Sequence, residues 1–327
     1  MIGAAVAFPV ALALAGAMRW LGPRIGALDH PDAVLKPHAH PVSFLGGVAV
    51  SGGLAAGLLV GAARADLWPF SAWVTVAVFA PALVGLLDDA VGLPPALRLG
   101  SQVALAFLLV TAGNLEATAL PGRVLAVGGA ALLYVAALNA VNMADGMDGL
   151  AGGLGVLSGI GVALVAIAVD RSGAVPLILA AATLGFLVHN LPPARLFLGD
   201  NGAYLVGAAL VVAALRAGRT VPALAGATSC LGLFLLDLLL AVLRRVAGRA
   251  PLFSGDRGHL YDQLLARGRP VGTVLTGAFA AHAALAAVGV VAADLDTGPA
   301  LALVGGAWAV AVAGLFGFGF VTARVPR

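Results

Sequence analysis

Apolar stretches close to the ~20 residues that cross a bilayer as a helix recur from one end of the chain to the other, and no other feature limits its fold as tightly. Inside lipid every backbone N–H and C=O has to be bonded within the protein, which leaves helices and closed barrels. The runs lack the alternation of barrel strands, so helices are expected over 3–21, 44–63, 71–87, 97–113, 121–139, 150–169, 174–191, 202–217, 220–243, 271–293 and 299–320. Hydrophobic residues fill 61% of the 327 positions and charged ones 10%, with a mean hydropathy of +1.05, which excludes an ordinary soluble domain. The expected fold is an all-α polytopic membrane protein of about 10–11 transmembrane helices, with residues 1–327 as one integral-membrane domain. The first run lacks a basic leader and is followed by more membrane sequence, so it reads as a retained span.

An odd number of crossings puts the two termini on opposite sides. With the amino terminus outside, only Arg64, Arg123, Arg171, Arg216 and Arg219 of the 18 basic residues fall in outer loops, the bias that orients membrane proteins. The same threading gathers Asp29, Asp32, Asp88, Asp89, Asp145, Asp148, Asp200, Asp256 and Asp262 on the cytoplasmic side and leaves Asp237 in a span. Function is therefore expected on cytoplasmic loops. The arginines are spread over short loops without a basic domain or interleaved aromatics, which excludes a nucleic-acid partner. Cys230, the single cysteine, reads as a small packing residue, and His282, inside a span, as a neutral packed or hydrogen-bonded histidine.

Five inner loops carry chemistry-bearing residues. AALNAVNMADGMDGLAGG places Asn139, Asn142 and Asp145 three apart, on one helical face, with Asp148 on a turn loosened by Gly146 and Gly149. Carboxylates at this depth resist leaving water unless paired, metal-bound or facing a wet cavity. GLLDDAVGLPPALRLGSQ ends a span on Asp88 and Asp89 and begins the next with Arg98 and Gln102; adjacent acids repel unless a cation, metal or phosphate-bound magnesium compensates, and one near a substrate can act as base or nucleophile, with interfacial helix capping as the lesser alternative. HNLPPARLFLGDNG starts a helix at Asp200, which suits either a cap or a metal-phosphate ligand, with Phe197 as a surface for a base or as packing. The loop containing GDRGHLYDQ offers Arg257 and His259 for a phosphate and a polar headgroup. The first loop, LDHPDAVLKPHAHPVSFLGG, adds Lys36, the only lysine, and His38; alone it also fits a solvated topology-setting loop.

In this order the loops resemble those of the polyprenyl-phosphate N-acetylhexosamine-1-phosphate transferases, which begin peptidoglycan, teichoic acid and O-antigen lipid intermediates. DHPDAVLKPHAHPVSFLGG is similar to the family's first cytoplasmic motif, LLDD to its aspartate pair, NAVNMADGMDGLAGG to its Asn/Asp motif and FLGDNG to its metal-binding motif. The resemblance implies transfer of a sugar 1-phosphate from a UDP-sugar to undecaprenyl phosphate at the bacterial cytoplasmic membrane, with release of UMP. It implies magnesium, or manganese in its place, on Asp200, and Asp88 or Asp89 assisting attack by the lipid phosphate. Asn139, Asn142, Asp145, Asp148, Asn190 and Phe197 would line the nucleotide-sugar site, and Lys36, His38, Arg257 and His259 would contact phosphate or sugar. Two departures stand out: Ala203 where the family commonly has serine, and His259, Leu260, Tyr261 and Asp262 where it has an HxHH pattern. The second lies in a loop tied to sugar recognition, and it favours UDP-GlcNAc over UDP-MurNAc-pentapeptide or another UDP-N-acetylhexosamine. A secondary transporter is the rival from another class, but it would want its charges near the bilayer midplane. Small residues crowd the spans and suit close packing within one chain or in a homodimer.

Overall fold

The computed structural model describes residues 2–30, 40–62, 72–115, 118–249 and 257–321. The first two apolar runs form α1 (Ile2–Ile25) and α2 (Gly46–Ala62), joined through a short antiparallel pair, β1 (Leu28–Asp29) and β2 (Val42–Ser43), which the sequence reading did not foresee. There follow α3 (Ala72–Val91), α4 (Pro95–Thr111), α5 (Arg123–Ala144), α6 (Leu150–Ala168), α7 (Ala174–Asn190) and α8 (Gly199–Ala217). The carboxy-terminal part contains α9 (Val221–Ser229), α10 (Gly232–Ala247), the short α11 (Leu260–Ala266), α12 (Val271–Ala293) and α13 (Thr297–Gly317). Six of these helices, α1, α3, α5, α6, α12 and α13, are long and apolar enough to cross a bilayer individually.

The run expected as one helix over 220–243 is instead broken, and α9 and α10 meet at 76°. Thr220 caps α9 by accepting the Ala223 N–H (3.3 Å), and the His282 ring accepts the Leu233 N–H at the start of α10 (3.3 Å). A break inside an apolar passage is tolerated where neighbours satisfy the freed backbone groups in this way. Hydropathy could not register it, because both halves are apolar.

Helices meet here through small residues, since lipid tails are as apolar as leucine and offer no hydrophobic drive for helix association. A Cβ on Gly47 would run into the Asn201 side chain and the Gly202 backbone, so only glycine lets α2 lie this close to α8. α8 is the central helix, with 16 of its 19 residues buried against α2, α3, α5, α6, α7 and α9. Cys230 is buried without a disulfide, and His282 is fully buried and bonded to Ser158, as the sequence suggested.

One end of the bundle collects the helix termini that matter for function. The C-terminal ends of α3, α5 and α7 meet the N-terminal ends of α4, α6 and α8 there. The backbone of Phe197 bonds Ser43 and Gly46 of the α1–α2 connection, and Gln263 of α11 donates to the Phe320 carbonyl beyond α13 (3.0 Å). With six helices that qualify individually, and a seventh passage if α9 and α10 count as one, the described chain is that of a multi-span membrane protein.

Candidate active site

Two adjacent aspartates cannot face the same way on a helix, and the structure gives them different partners. Asp88, near the C-terminal end of α3, accepts the Leu93 N–H on Oδ1 (2.7 Å) and the Arg98 guanidinium on Oδ2 (2.9 Å). Asp89 accepts the N–H groups of Asp200 (3.0 Å) and Asn201 (3.1 Å), one on each oxygen, and so caps α8 from outside that helix. Asp200 therefore does not cap its own helix. Its carboxylate takes a hydrogen bond from Asn142 Nδ2 and lies 3.7 Å from Arg98. Arg98 thus stands between Asp88 and Asp200 and compensates both.

The Asn/Asp segment between α5 and α6 reaches across to the loop that leads into α8. Asp145 Oδ2 accepts the Gly199 N–H (3.1 Å), and Asp148 Oδ2 accepts that of Ala194 (2.8 Å). Asn190 bridges the same two segments, accepting the Gly149 N–H and donating to the Leu196 carbonyl, both at 3.0 Å. Gly149 and Gly199 have φ of +78° and +72°, the left-handed conformation that glycine alone adopts without strain. Burial, with Asp200 and Asp89 close by, holds the Asp145 carboxyl well above the usual carboxylate range. Asn139 sits one turn further from the acids, where it donates to Gln102 Oε1 (2.6 Å) and to the Val135 carbonyl (2.8 Å).

A second cluster adjoins the first. His259 Nδ1 is 2.8 Å from Asp237 Oδ2, and Arg257 pairs with Asp262 at 3.1 Å. The rings of His259 and Tyr261 are near-parallel with centroids 5.8 Å apart, and the Tyr261 hydroxyl packs on Gly146 and donates to the Met143 carbonyl (3.5 Å). A Cβ at position 146 would collide with that hydroxyl, so this glycine admits the second cluster to the first. Beside Ala144 and Tyr261 an apolar groove of about 360 Å³ opens between α6, α10, α11 and α12.

The structure thus brings together Asp88, Asp89, Asn142, Asp145, Asp148, Asn190 and Asp200 at one end of the bundle, with His259 and Arg257 beside them. Phe197 is half-buried on the connecting loop, where its backbone ties the α1–α2 connection to the α8 entrance. Lys36 and His38 lie outside the described residues. Sequence reasoning assigned no role to Asp237; a lone acid in an apolar run was the signal. Among the described residues no three His, Cys, Asp or Glu side chains form a cluster that would hold a metal alone. Asp88 and Asp200, both hard oxygen donors sharing one cation, fit the alternative in which Mg2+ uses one or two carboxylates and completes its shell with substrate phosphates.

Comparison with known proteins shows the family of the chain. Residues 71–218, which contain α3 to α8 and the first cluster, match the model of glycosyl transferase family 4. A decaprenyl-phosphate N-acetylglucosaminephosphotransferase of Mycobacterium tuberculosis is 30% identical over 76% of this chain and 72% of its own length. An undecaprenyl-phosphate alpha-N-acetylglucosaminyl 1-phosphate transferase of Thermotoga maritima is 30% identical over 72% and 71%, respectively. A phospho-N-acetylmuramoyl-pentapeptide-transferase of Moorella thermoacetica is 32% identical over 68% and 74%. With its acids and amides gathered where α3 to α8 converge, and with relatives of this kind along most of its length, the chain belongs to glycosyl transferase family 4 and is a membrane-embedded sugar-1-phosphate transferase.

Proposed function

We propose that the protein transfers GlcNAc 1-phosphate from UDP-GlcNAc to undecaprenyl phosphate on the cytoplasmic side of the bacterial membrane. The observation that carries this reading is the convergence of Asp88 and Asp200 on Arg98, with Asn142 bonded to Asp200, in a chain whose relatives are named for that transfer to polyprenyl phosphates. An oxygen of the lipid phosphate attacks the sugar-bearing phosphorus of the donor. The bond from that phosphorus to the bridging oxygen breaks, and UMP leaves with the bridging oxygen. Both reactants are anionic, so the site has to neutralise charge and fix geometry more than it has to supply covalent chemistry.

The residues divide that work. Asp88 and Asp200 would hold Mg2+, which when bound supplies charge neutralisation between the two phosphates. Asn142 orients Asp200, and Asp89, committed on both oxygens to the first turn of α8, fixes where Asp200 stands. Of the aspartate pair, Asp88 is therefore the one placed to assist the attacking phosphate, because its Oδ2 faces the side chain of Arg98 and not the backbone of α8. Asp145, Asp148 and Asn190 set the α7–α8 loop and with it Phe197 for the nucleotide, while Arg257 and His259 supply cationic contact to phosphate or sugar. The apolar groove beside Ala144 and Tyr261 is shaped for an isoprenoid chain.

The test is release of UMP by purified protein given UDP-GlcNAc and undecaprenyl phosphate, with and without chelator. Lipid-dependent release that chelation abolishes and Mg2+ restores supports the reading. Release only from UDP-MurNAc-pentapeptide would transfer the proposal to that donor, and silence with every UDP-N-acetylhexosamine would overturn it.

A further inference from the structure

Two ionisable side chains buried in apolar passages, Asp237 and His282, have no part in the transfer described above. His282 is fully buried against the break between α9 and α10. A backbone amide only donates, so its 3.3 Å contact with Leu233 N makes Nδ1 the acceptor, and Nε2 carries the proton toward Ser158 Oγ at 2.9 Å. The first exposed amide of α10 is thereby satisfied, and the bend is braced from α6 and α12. One turn further along α10, Asp237 is 6% exposed and uses both oxygens on the α10–α11 connection. Oδ1 accepts the Leu260 N–H at 2.7 Å and Oδ2 meets His259 Nδ1 at 2.8 Å. An ionised carboxylate only accepts, so the proton of this contact belongs to His259 Nδ1.

We propose that Asp237 is a positioning residue for His259: it holds Nδ1–H against its carboxylate, so that the second proton of the imidazolium sits on Nε2 and is donated to the substrate phosphate, while the Ser158–His282 brace keeps α10 in register for it. Stacking on Tyr261, whose hydroxyl reaches Met143 and Gly146, fixes the ring plane relative to the Asn/Asp segment. A carboxylate behind an imidazole that sets its tautomer and orientation is a recurring device, and its removal commonly costs 10- to 100-fold in function. The consequence for transfer rests on the proposed role of His259 at the phosphate, whereas the tautomer does not depend on it.

Asp237→Asn is the discriminating change, because asparagine still accepts from Leu260 N but presents N–H to His259, which then has to accept on Nδ1 and protonate Nε2. Nitrogen-15 spectra of histidine-labelled protein, with the His259 signal identified by its loss in His259→Gln, are expected to show neutral His259 protonated on Nδ1 in the wild type and on Nε2 in Asp237→Asn. Neutral His259 protonated on Nε2 in the wild type overturns the proposal, even if the variant does not fold. In turnover, Asp237→Asn is expected to lower kcat/KM by about 10- to 100-fold alone but by less than about threefold in a His259→Gln background. Equal losses in the two backgrounds would mean that Asp237 only secures α10, and would also overturn it. A wild type silent in turnover yet showing the expected tautomer would sink the proposed reaction and leave the positioning of His259 standing.

Discussion

α8 and α13 are helices of 19 and 21 residues at opposite extremes of burial. All but three residues of α8 are buried, whereas Ala300 and Leu315 are the only buried residues of α13. By length and apolarity α13 passes as a membrane span and α8 does not, since α8 begins on Asp200 and Asn201 and ends near Arg216. The more apolar helix is thus the peripheral one. Hydrophobicity decides whether a segment can enter lipid, but it does not decide which helix is interior, because lipid and protein interior are about equally apolar. The interior position falls to the helix with small residues that admit close neighbours and with polar groups that have to be kept from lipid.

This contrast can be tested by making matched changes in the two helices. The largest difference is expected at their amino-terminal ends. Asp200→Asn should reduce sugar-1-phosphate transfer by about a thousandfold or more, the cost of losing a group that stabilises transition-state charge, while Asp296→Asn before α13 should leave turnover unchanged. Steady-state UMP release measures both, and a comparable loss from Asp296→Asn would break the comparison. Next in size is truncation of the core: Leu210→Ala in α8 should cost about 2–5 kcal/mol and Leu301→Ala in α13 less than about 0.5 kcal/mol, read from thermal unfolding in detergent. A Cβ on Gly207 would press on the Ala137 carbonyl at 2.9 Å, whereas one on Gly305 meets nothing within 4 Å. Gly207→Ala is accordingly expected to cost about 1–3 kcal/mol and Gly305→Ala to be neutral, and equal melting temperatures would refute the packing account.

The smallest expected effect is electrostatic and concerns the entrance to α8, where Asp145 holds Gly199. Its carboxyl is raised above the usual range, so the folded state binds a proton that the unfolded chain has released. Stability of the cation-free protein should therefore fall as pH rises from the ordinary carboxylate range toward the raised value. Asp145→Asn should flatten that slope. Melting temperatures of the two proteins across pH 5 to 8, an interval of about the carboxylate-to-neutral range, provide the check, and parallel slopes would assign the pH dependence to other groups.

Much of the fold could be read from the chain. The apolar runs expected over 71–87, 150–169 and 271–293 contain or closely match α3, α6 and α12, because length and hydropathy record the requirement that lipid imposes on a backbone. The break between α9 and α10 could not be read, since it depends on a histidine from α12 that arrives only after folding. The site was legible in part for a similar reason. Spacing three apart put Asn142 and Asp145 on one face, and both reach the entrance to α8. The same spacing included Asn139, which turns to Gln102 instead because α4 lies against that turn of α5. Asp88 and Asp89 were indistinguishable in sequence, and their division of labour, one facing Arg98 and the other capping α8, depends on where α4 and α8 approach α3.

The sequence by itself determined that this protein spans a membrane many times and that its acids and amides stand at helix ends, because the bilayer penalises unbonded backbone and isolated charge wherever they occur along the chain. Which helix is buried, which aspartate caps and which faces a cation, and which carboxylate stands behind His259 were decided only by the tertiary structure. Those outcomes depend on atoms brought within about 3 Å from elements far apart in the chain, and no local pattern of hydropathy encodes such contacts.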